Sequence, residues 1–326
     1  MSATIFFFVG HRKIVKKNKK KLLKKKNAVS KRKRKEKWIP KQFETLERSG
    51  ETWRPQNKHI TGEELIERYG IRAGEFGNWT NNNERQISLD YAYDAFADLA
   101  YALDIDEKSV SLPGLSCGSL AIAFGARGRG DAAAHYEPLR EVINLTRLRG
   151  AGSLGHEWAH ALDHLIGQSA GFPCLATEGR MLDYVKSLKK VMNRIYYNEN
   201  GIYTQYYVDS AQFDKQYSKD SHGYWSSECE LFARAFACYL ADKLASEGKR
   251  NDYLNGHCDT YVSMDKKGNW IYAYPRGDER LRINEVIDEL ISELKDKRIL
   301  FTRPEKKEET VSSVFTAAPD GQLCFA

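Results

Sequence analysis

The chain has 326 residues, enough for one large domain or two small ones. Hydrophobic residues make up 41% and aromatic residues 12% of it, as in soluble globular proteins, and no segment is long and apolar enough to span a membrane. The net charge of +7 is uneven: residues 1–41 hold 17 Lys and Arg and one Glu, a net +16, so the remainder carries −9. The basic character therefore belongs to an N-terminal tail.

The N-terminus and the cysteines argue against secretion. The apolar run Ile5–Val9 is short and its positive charges follow it, which is the reverse of a secretory signal. The six cysteines include no C-x-x-C pair, which predicts reduced thiols and not a disulfide framework. We therefore expect a cytoplasmic protein.

Residues 11–37 form a run rich in Lys and Arg that includes Lys31-Arg32-Lys33-Arg34-Lys35. Charges this dense repel one another, so residues 1–37 are predicted to be a disordered tail. One interpretation is that the tail binds nucleic acid phosphates through counterion release. The other is a solvated tail without a partner, or a start codon placed too far upstream. The folded domain is expected over residues 38–300, with a flexible tail at 301–326.

The first half of the domain is predicted to mix helices and strands. Thr61-Gly62-Glu63-Glu64 is a capping-box pattern that predicts a helix through Tyr69. Ser88 is predicted to cap a longer helix with one apolar stripe. Ser119–Phe124 and Val142–Thr146 are predicted to be buried strands, the second because three of its five residues are β-branched.

His156-Glu157-Trp158-Ala159-His160 matches the pattern H-E-x-x-H. Residues four apart lie on one face of a helix, so His156 and His160 can bind one metal ion from the same side. Glu157 lies between them, where a carboxylate can accept a proton from a metal-bound water. The pattern favours a zinc-dependent catalytic site over the alternative of a packed helix with structural histidines.

The strand predicted at Val142–Thr146 leads through a short turn into this helix, which is predicted to begin at Ser153 and end near Gly167. This order places an extended segment beside the metal. If the segment lies at a sheet edge, a peptide can pair with it as an added strand. An interior strand would offer no free edge.

A catalytic zinc takes three protein ligands and keeps one position open. The class H-E-x-x-H-x-x-G-x-x-H is excluded, because Asp163 and Ile166 stand at its last two positions. Glu230 is the first candidate for the third ligand, since it opens an alanine-rich helix predicted over Ser226–Ala241. Glu228 is the second candidate. Further candidates are His164, His222 and His257.

The remaining segments complete the predicted architecture. Met181–Ile195 is predicted to be an amphipathic helix. Residues 196–225 are rich in Tyr, Asn, Asp and Ser and are predicted to form a long loop or hairpin over the site. A last amphipathic helix carries Ile283, Ile287, Leu290 and Leu294.

Seven stretches of the chain share the motifs of one known family: residues 74–79, 123–128, 134–138, 142–146, 150–154, 156–163 and 230–236. Together they resemble the large polyvalent protein-associated domain of type 1, a zincin-like domain of phage and mobile-element proteins. The resemblance covers about residues 38–300 and runs through several separate motifs.

The resemblance implies an α+β, zincin-like metallopeptidase fold with a small mixed sheet, the H-E-x-x-H helix and a second metal-binding helix. It implies Zn²⁺ bound by His156, His160 and Glu230, and a phage or mobile-element origin in a bacterial host. Members of the family are often one module of a very large chain, whereas this chain is a single module with a basic tail. Arg234 also departs from the thermolysin-like enzymes, which have Asp at that position.

The expected activity is hydrolysis of a protein or peptide, with Glu157 as general base. Tyr224, His135 and Arg234 are candidate oxyanion donors or substrate contacts, and Asp163 is a candidate for orienting a ligand histidine. The alternative is a non-catalytic zincin-fold module that binds DNA or protein partners through the basic tail. A third hypothesis joins the two: a DNA-tethered protease acting on DNA-bound proteins, by analogy with SprT-like zincins.

Overall fold

The computed structural model describes residues 39–55, 58–127, 132–179, 183–218 and 223–303. The basic tail, most of the C-terminal tail and His222 lie outside these residues. The fold is α+β, as predicted. Among the residues described, no helix combines the length and apolar character needed to cross a membrane.

Four strands form the central sheet. Their order is β2-β3-β5-β4, where β2 is Gly74–Phe76, β3 is Ala121–Phe124, β4 is Ala134–Glu137 and β5 is Val142–Leu145. β2, β3 and β5 are parallel, and β4 is antiparallel to β5, with His135 opposite Asn144. Two small antiparallel pairs complete the strands: β1 (Arg48–Ser49) with β6 (Arg250–Asn251), and β7 (Val262–Met264) with β8 (Trp270–Tyr272).

The helices surround this sheet. In chain order they are α1 (Gly62–Tyr69), α2 (Asn82–Leu103), α3 (Leu154–Ser169), α4 (Lys186–Tyr196), α5 (Gln205–Tyr217), α6 (Glu228–Ala245), α7 (Asp252–Asn255) and α8 (Gly277–Asp296). Short 3-10 turns occur at Lys41–Phe43 and Glu107–Ser111. The main core joins one face of the sheet, including Ile122 and Ile143, to residues from all eight described helices.

The two predicted strands are confirmed as β3 and β5, but β5 is not an edge strand. It lies between β3 and β4, so the sheet edge beside α3 belongs to β4. No strand was predicted at Ala134–Glu137. The segment has only four residues and mixes buried Tyr136 with half-buried His135 and Glu137, so its pattern was weak.

The predicted starts and ends of several helices were wrong. α2 begins six residues before Ser88, because Asn81 and Glu84 form a capping box. Ser88 instead lies inside the helix, where its hydroxyl donates to the Glu84 carbonyl over 2.7 Å. α3 continues past Gly167, where a Cβ atom would lie 1.9 Å from the Cys174 carbonyl oxygen. That glycine therefore permits a close backbone approach and does not end the helix.

Two further predictions need correction. Residues 196–225 contain the helix α5, whereas a loop or hairpin was predicted there. The helix predicted at Met181–Ile195 begins at Lys186 in the structure, and its first two predicted residues lie outside the described part. The predicted helices over Gly62–Tyr69 and around Glu230 are confirmed, and Thr61 and Glu64 form the predicted capping box.

The H-E-x-x-H helix, α3, is fixed in the core along most of its length. It packs against α6, and Trp158 lies fully buried 5.8 Å from the Phe236 ring, centroid to centroid. The Trp158 indole N–H donates to the Val110 carbonyl over 2.7 Å. Packing of this kind fixes the rotation of α3 about its axis, so the directions of His156, Glu157 and His160 are set by the core.

Candidate metal centre

Two helices bring three candidate ligands together. His156 and His160 lie one turn apart on α3, and Glu230 lies in the first turn of α6. The His156 and His160 Nε2 atoms are 3.1 Å apart. Glu230 Oε2 lies 3.4 Å from His156 Nε2, and Glu230 Oε1 lies 3.5 Å from His160 Nε2.

These separations fit a tetrahedral ion. Zinc binds nitrogen and carboxylate oxygen at about 2.0–2.1 Å, which puts tetrahedral ligands about 3.3 Å from one another. The three measured distances lie on either side of that value. Two histidines and one carboxylate are also a donor set of catalytic zinc, with the fourth position left for water. In the described part of the chain, His156, His160 and Glu230 are the His, Cys, Asp or Glu side chains that lie close enough together to hold one metal ion.

Burial and neighbouring charges shift the pKa values of Glu230 and His160 in opposite directions. Burial by itself would raise the pKa of Glu230, but the charges and hydrogen bonds of His156 and His160 hold that pKa well below its ordinary value. Burial by itself would lower the pKa of His160, but Glu230, with Glu157 and Asp163, raises it to about 9. These interactions favour a cationic His160 beside an anionic Glu230.

Glu157 lies beside the ligand cluster and is 4% exposed. Burial raises its pKa, while the charges of His156 and His160 oppose that shift. A carboxylate whose proton affinity is raised by burial is suited to accept a proton and release it again near neutral pH. The charge of His135, on the edge strand β4, also acts to lower the pKa of Glu157.

Tyr224 reaches the cluster from a loop before α6. About half of the residue is exposed, at 55%, but its hydroxyl is turned toward Glu230. Desolvation, followed by the charge of Glu230 and a hydrogen bond to it, raises the pKa of Tyr224 well above its ordinary value. The phenol therefore keeps its proton and remains a hydrogen-bond donor at the site.

The loop that carries Tyr224 is held by Asp214 on α5. The Asp214 carboxylate accepts the backbone N–H groups of Tyr224, Trp225 and Ser226 over 2.7, 2.7 and 2.8 Å, and the Ser218 hydroxyl over 2.6 Å. Sequence analysis missed Asp214, because it lies in the segment predicted as loop. An Asp nine residues before a Gly-Tyr-Trp-Ser turn forms no recognisable sequence motif.

Arg234, a candidate oxyanion donor or substrate contact, lies in the core and binds backbone carbonyls. It is 2% exposed, and its guanidinium donates to the carbonyls of Glu230 and Ala273 over 3.1 and 2.6 Å and to that of Trp225. Each of its three nitrogens is thus bound to a backbone oxygen. Arg234 clamps the Trp225 peptide from the side opposite Asp214 and ties it to the helix of Glu230.

Asp163 is fully buried, and its carboxylate accepts the Thr177 N–H over 2.9 Å and the Thr177 hydroxyl over 2.6 Å. Burial raises its pKa to about 6. It acts on His160 through charge, and its hydrogen bonds to Thr177 anchor the loop after α3.

The other candidate ligands point elsewhere. The His164 ring nitrogens contact the Tyr136 hydroxyl at 2.9 Å and the Gln168 amide at 3.3 Å. Glu228 is exposed and interacts with Tyr196. His257 Nε2 lies beside Gly152, just before α3 begins, and it is not part of the cluster of three ligand atoms.

Comparison with known families supports part of the expected relationship. Residues 216–298 match the model of the family described as large polyvalent protein-associated domain 1. The resemblance is therefore confirmed for this part of the chain, which includes α6 with Glu230, the β7–β8 hairpin and α8. The H-E-x-x-H helix lies outside the matched residues. A search of curated proteins gives no match.

The Asp214 clamp generates a prediction about pH. Burial by itself would raise the pKa of Asp214, but its hydrogen bonds hold it below the ordinary value. Asp214→Asn is expected to lower the free energy of unfolding by about 1–3 kcal/mol at pH 7. A depressed folded-state pKa stabilises the protein above the unfolded-state pKa of about 3.9 and loses its effect as the pH falls through the folded-state value.

Urea unfolding of both proteins between about pH 8 and pH 3 tests this linkage. The difference between wild type and Asp214→Asn should stay constant down to about pH 5 and shrink below about pH 4. The control is Asp183→Asn, since the Asp183 side chain is 83% exposed in its pair with Lys189. Loss of this exposed charge should change the free energy of unfolding little. A difference that persists undiminished at the lowest pH would contradict the role of the Asp214 charge.

Proposed function

We propose that this protein is a zinc-dependent peptidase with a zincin-like fold. The observation that carries the proposal is the spacing of His156 Nε2, His160 Nε2 and Glu230 carboxylate oxygens, which suits one tetrahedral ion. Glu157, buried beside these atoms, is the group that a hydrolytic reaction needs next to them. Neither feature requires any movement of the backbone.

Bound zinc would supply an acidic water and polarise the substrate carbonyl. Glu157 accepts one proton as the water oxygen bonds to the carbonyl carbon. When the carbon–nitrogen bond breaks, Glu157 gives that proton to the leaving amine, so the carboxylate is regenerated. Burial raises the pKa of Glu157, which strengthens it as the base that accepts the water proton.

Tyr224 is the proposed donor to the oxyanion. Its hydroxyl stays protonated, and its loop is fixed on two sides by Asp214 and Arg234. A donor that is already in place stabilises developing charge without reorganisation at the moment of reaction. Arg234 is then a positioning residue, since its nitrogens are bound to backbone oxygens.

The proposed substrate is an extended peptide, placed along β4. This strand pairs on one side with β5 and is the last strand of the sheet in the described part of the chain. α3 packs directly against it. A peptide that pairs with the free edge by main-chain hydrogen bonds would lie beside the H-E-x-x-H helix, and such pairing recognises extended backbone with little dependence on sequence.

The alternative, a non-catalytic module that binds DNA or protein, depends on the charge of residues 11–37. Those residues lie outside the described part, and no contact of the described residues favours this alternative over hydrolysis. The combined hypothesis of a DNA-tethered protease rests on the same charge and remains a prediction.

Glu157→Gln is expected to abolish peptide hydrolysis while leaving the zinc content unchanged, because glutamine fills the same space but cannot accept the proton. The measurement is cleavage of a random-sequence peptide pool, followed by mass spectrometry, with and without a chelator. Glu228→Gln is the matched control, since Glu228 lies exposed in the first turn of α6. Undiminished cleavage by Glu157→Gln would contradict the proposed base.

Tyr224→Phe tests the oxyanion donor. Removing one such donor typically lowers kcat by about 10²–10³, and KM should change little because the ring remains. Tyr217→Phe is the control, since Tyr217 is 56% exposed and its hydroxyl contacts Ser263. If both variants keep the wild-type kcat, Tyr224 has no part in stabilising the oxyanion.

A further inference from the structure

A row of four aromatic rings borders the candidate metal centre. In order they are Tyr224, Trp225, Tyr261 and His257, and the centroids of neighbouring rings lie 5.6, 5.9 and 5.6 Å apart. Tyr224 is 55% and Tyr261 39% exposed, and the other two residues are half-buried. Single exposed aromatic side chains are ordinary, but a continuous exposed apolar surface is typical of a binding site.

Both ends of the row lie at the helices that carry the metal ligands. The Tyr224 hydroxyl donates to Glu230, in the first turn of α6. At the other end, His257 Nε2 lies 3.1 Å from where a Cβ atom on Gly152 would stand. α3 begins two residues later and has His156 in its first turn. The row therefore runs from the start of one ligand helix to the start of the other.

The rings are fixed from behind by the core. The centroid of the Trp225 ring lies 5.0 Å from that of Phe213 and 5.3 Å from the Arg234 Cζ atom. The Tyr261 ring lies 6.2 Å from that of Tyr274, which is 8% exposed. Phe213 and Tyr274 belong to a second core cluster, against which Trp225 packs. A ligand on the solvent side of the row therefore meets rings already held in place, which reduces the entropy lost on binding.

The row also borders the position proposed for the substrate. That peptide pairs with β4, against which α3 packs, and its scissile carbonyl lies at the metal. Successive side chains of an extended peptide point to opposite sides. One of the two residues that flank the scissile bond can therefore direct its side chain toward Tyr224 and Tyr261.

The angles between the rings favour an aromatic occupant. The planes of Tyr224 and Trp225 meet at 87°, and those of Trp225 and Tyr261 at 53°. Aromatic rings attract one another in offset-stacked and edge-to-face arrangements, with centroids about 4.5–7 Å apart. Rings inclined in this way offer an edge and a face to a further ring, whereas an aliphatic side chain would gain contact area alone. The four side chains of the row include no carboxylate, ammonium or guanidinium group that could pair with a charged side chain.

We propose that Tyr224, Trp225 and Tyr261 form a subsite for an aromatic side chain of the peptide substrate, at one of the two residues that flank the scissile bond. The inference rests on the proposed function, since it names the class of substrate taken by the same site. Trp225 and Tyr261 bind the substrate side chain, and Tyr224 combines a binding ring with its donor hydroxyl. This division agrees with the small change in KM expected for Tyr224→Phe, which keeps the ring.

The test is the peptide affinity of the full chain with Glu157→Gln, supplied with Zn²⁺, so that binding is measured without cleavage. Two dye-labelled peptides in a Gly-Ser host differ only in one central residue, Phe or Ala, and fluorescence anisotropy gives their Kd values. The Phe peptide is expected to bind about tenfold more tightly, because the row buries one side of its ring.

Adding Tyr261→Ala should bring the two Kd values within about twofold of each other, because the variant removes a ring of the subsite. Tyr261→Phe should keep the preference, since the ring remains. The matched control is Trp270→Ala, which removes a 60% exposed ring that pairs across the hairpin with Met264, and it should also keep the preference. If Tyr261→Ala does not fold, Tyr261→Thr takes its place, with the same expected loss.

The outcomes separate the two proposals. Equal affinity for the two peptides, no binding of the Phe peptide, or a preference that survives the loss of the Tyr261 ring would overturn the subsite and leave the proposed metal site and base as they are. A chain that binds no Zn²⁺ and cleaves no peptide, yet prefers the Phe peptide through Tyr261, would contradict the proposed function and support the aromatic subsite as a peptide-binding surface.

Discussion

The packing of α3 against α6 sets the geometry on which the candidate site depends. His156 and His160 share one face of α3 because they are four residues apart, but Glu230 reaches them only because α6 lies alongside. The contact between Trp158 and Phe236 fixes the two helices to each other. The ligand distances of 3.1–3.5 Å therefore follow from core packing, and they do not depend on a mobile loop.

This geometry concentrates charge where burial makes it unfavourable. Glu157, Glu230 and Asp163 are all buried close to His160, and their combined effect raises the pKa of that histidine to about 9. A cluster of this kind costs stability unless its charges are neutralised by one another or by a cation. Strongly shifted pKa values from burial plus specific partners are characteristic of functional sites. The loop of Tyr224 is also held by charged groups. Asp214 accepts the N–H of the peptide between Trp225 and Ser226, and Arg234 donates to its carbonyl.

Local sequence patterns predicted the elements whose signals are local. The capping box at Thr61 and the apolar spacing of α3 and α8 gave helices near their observed places, and helical spacing placed His156 and His160 on one face. α5 was missed because Asp209 and Ser210 are buried among its apolar residues, which breaks the stripe that a pattern needs. β4 was missed because four residues with one buried side chain carry too little periodicity. The backbone contacts of Arg234 could not be predicted, because two of its carbonyl partners, at residues 225 and 273, come from other parts of the chain and only the fold brings them near.

The metal content of the purified protein tests the central claim most directly. Native mass spectrometry of wild type, His156→Ala, Glu230→Ala and Glu228→Ala after exposure to zinc compares the proposed ligands with an exposed neighbour in the same turn. About one zinc per chain is expected in wild type and in Glu228→Ala, with loss from the other two, since two protein ligands rarely retain a catalytic zinc. A folded wild type without zinc, or a Glu230→Ala variant that keeps it, would contradict the ligand set and the peptidase built on it.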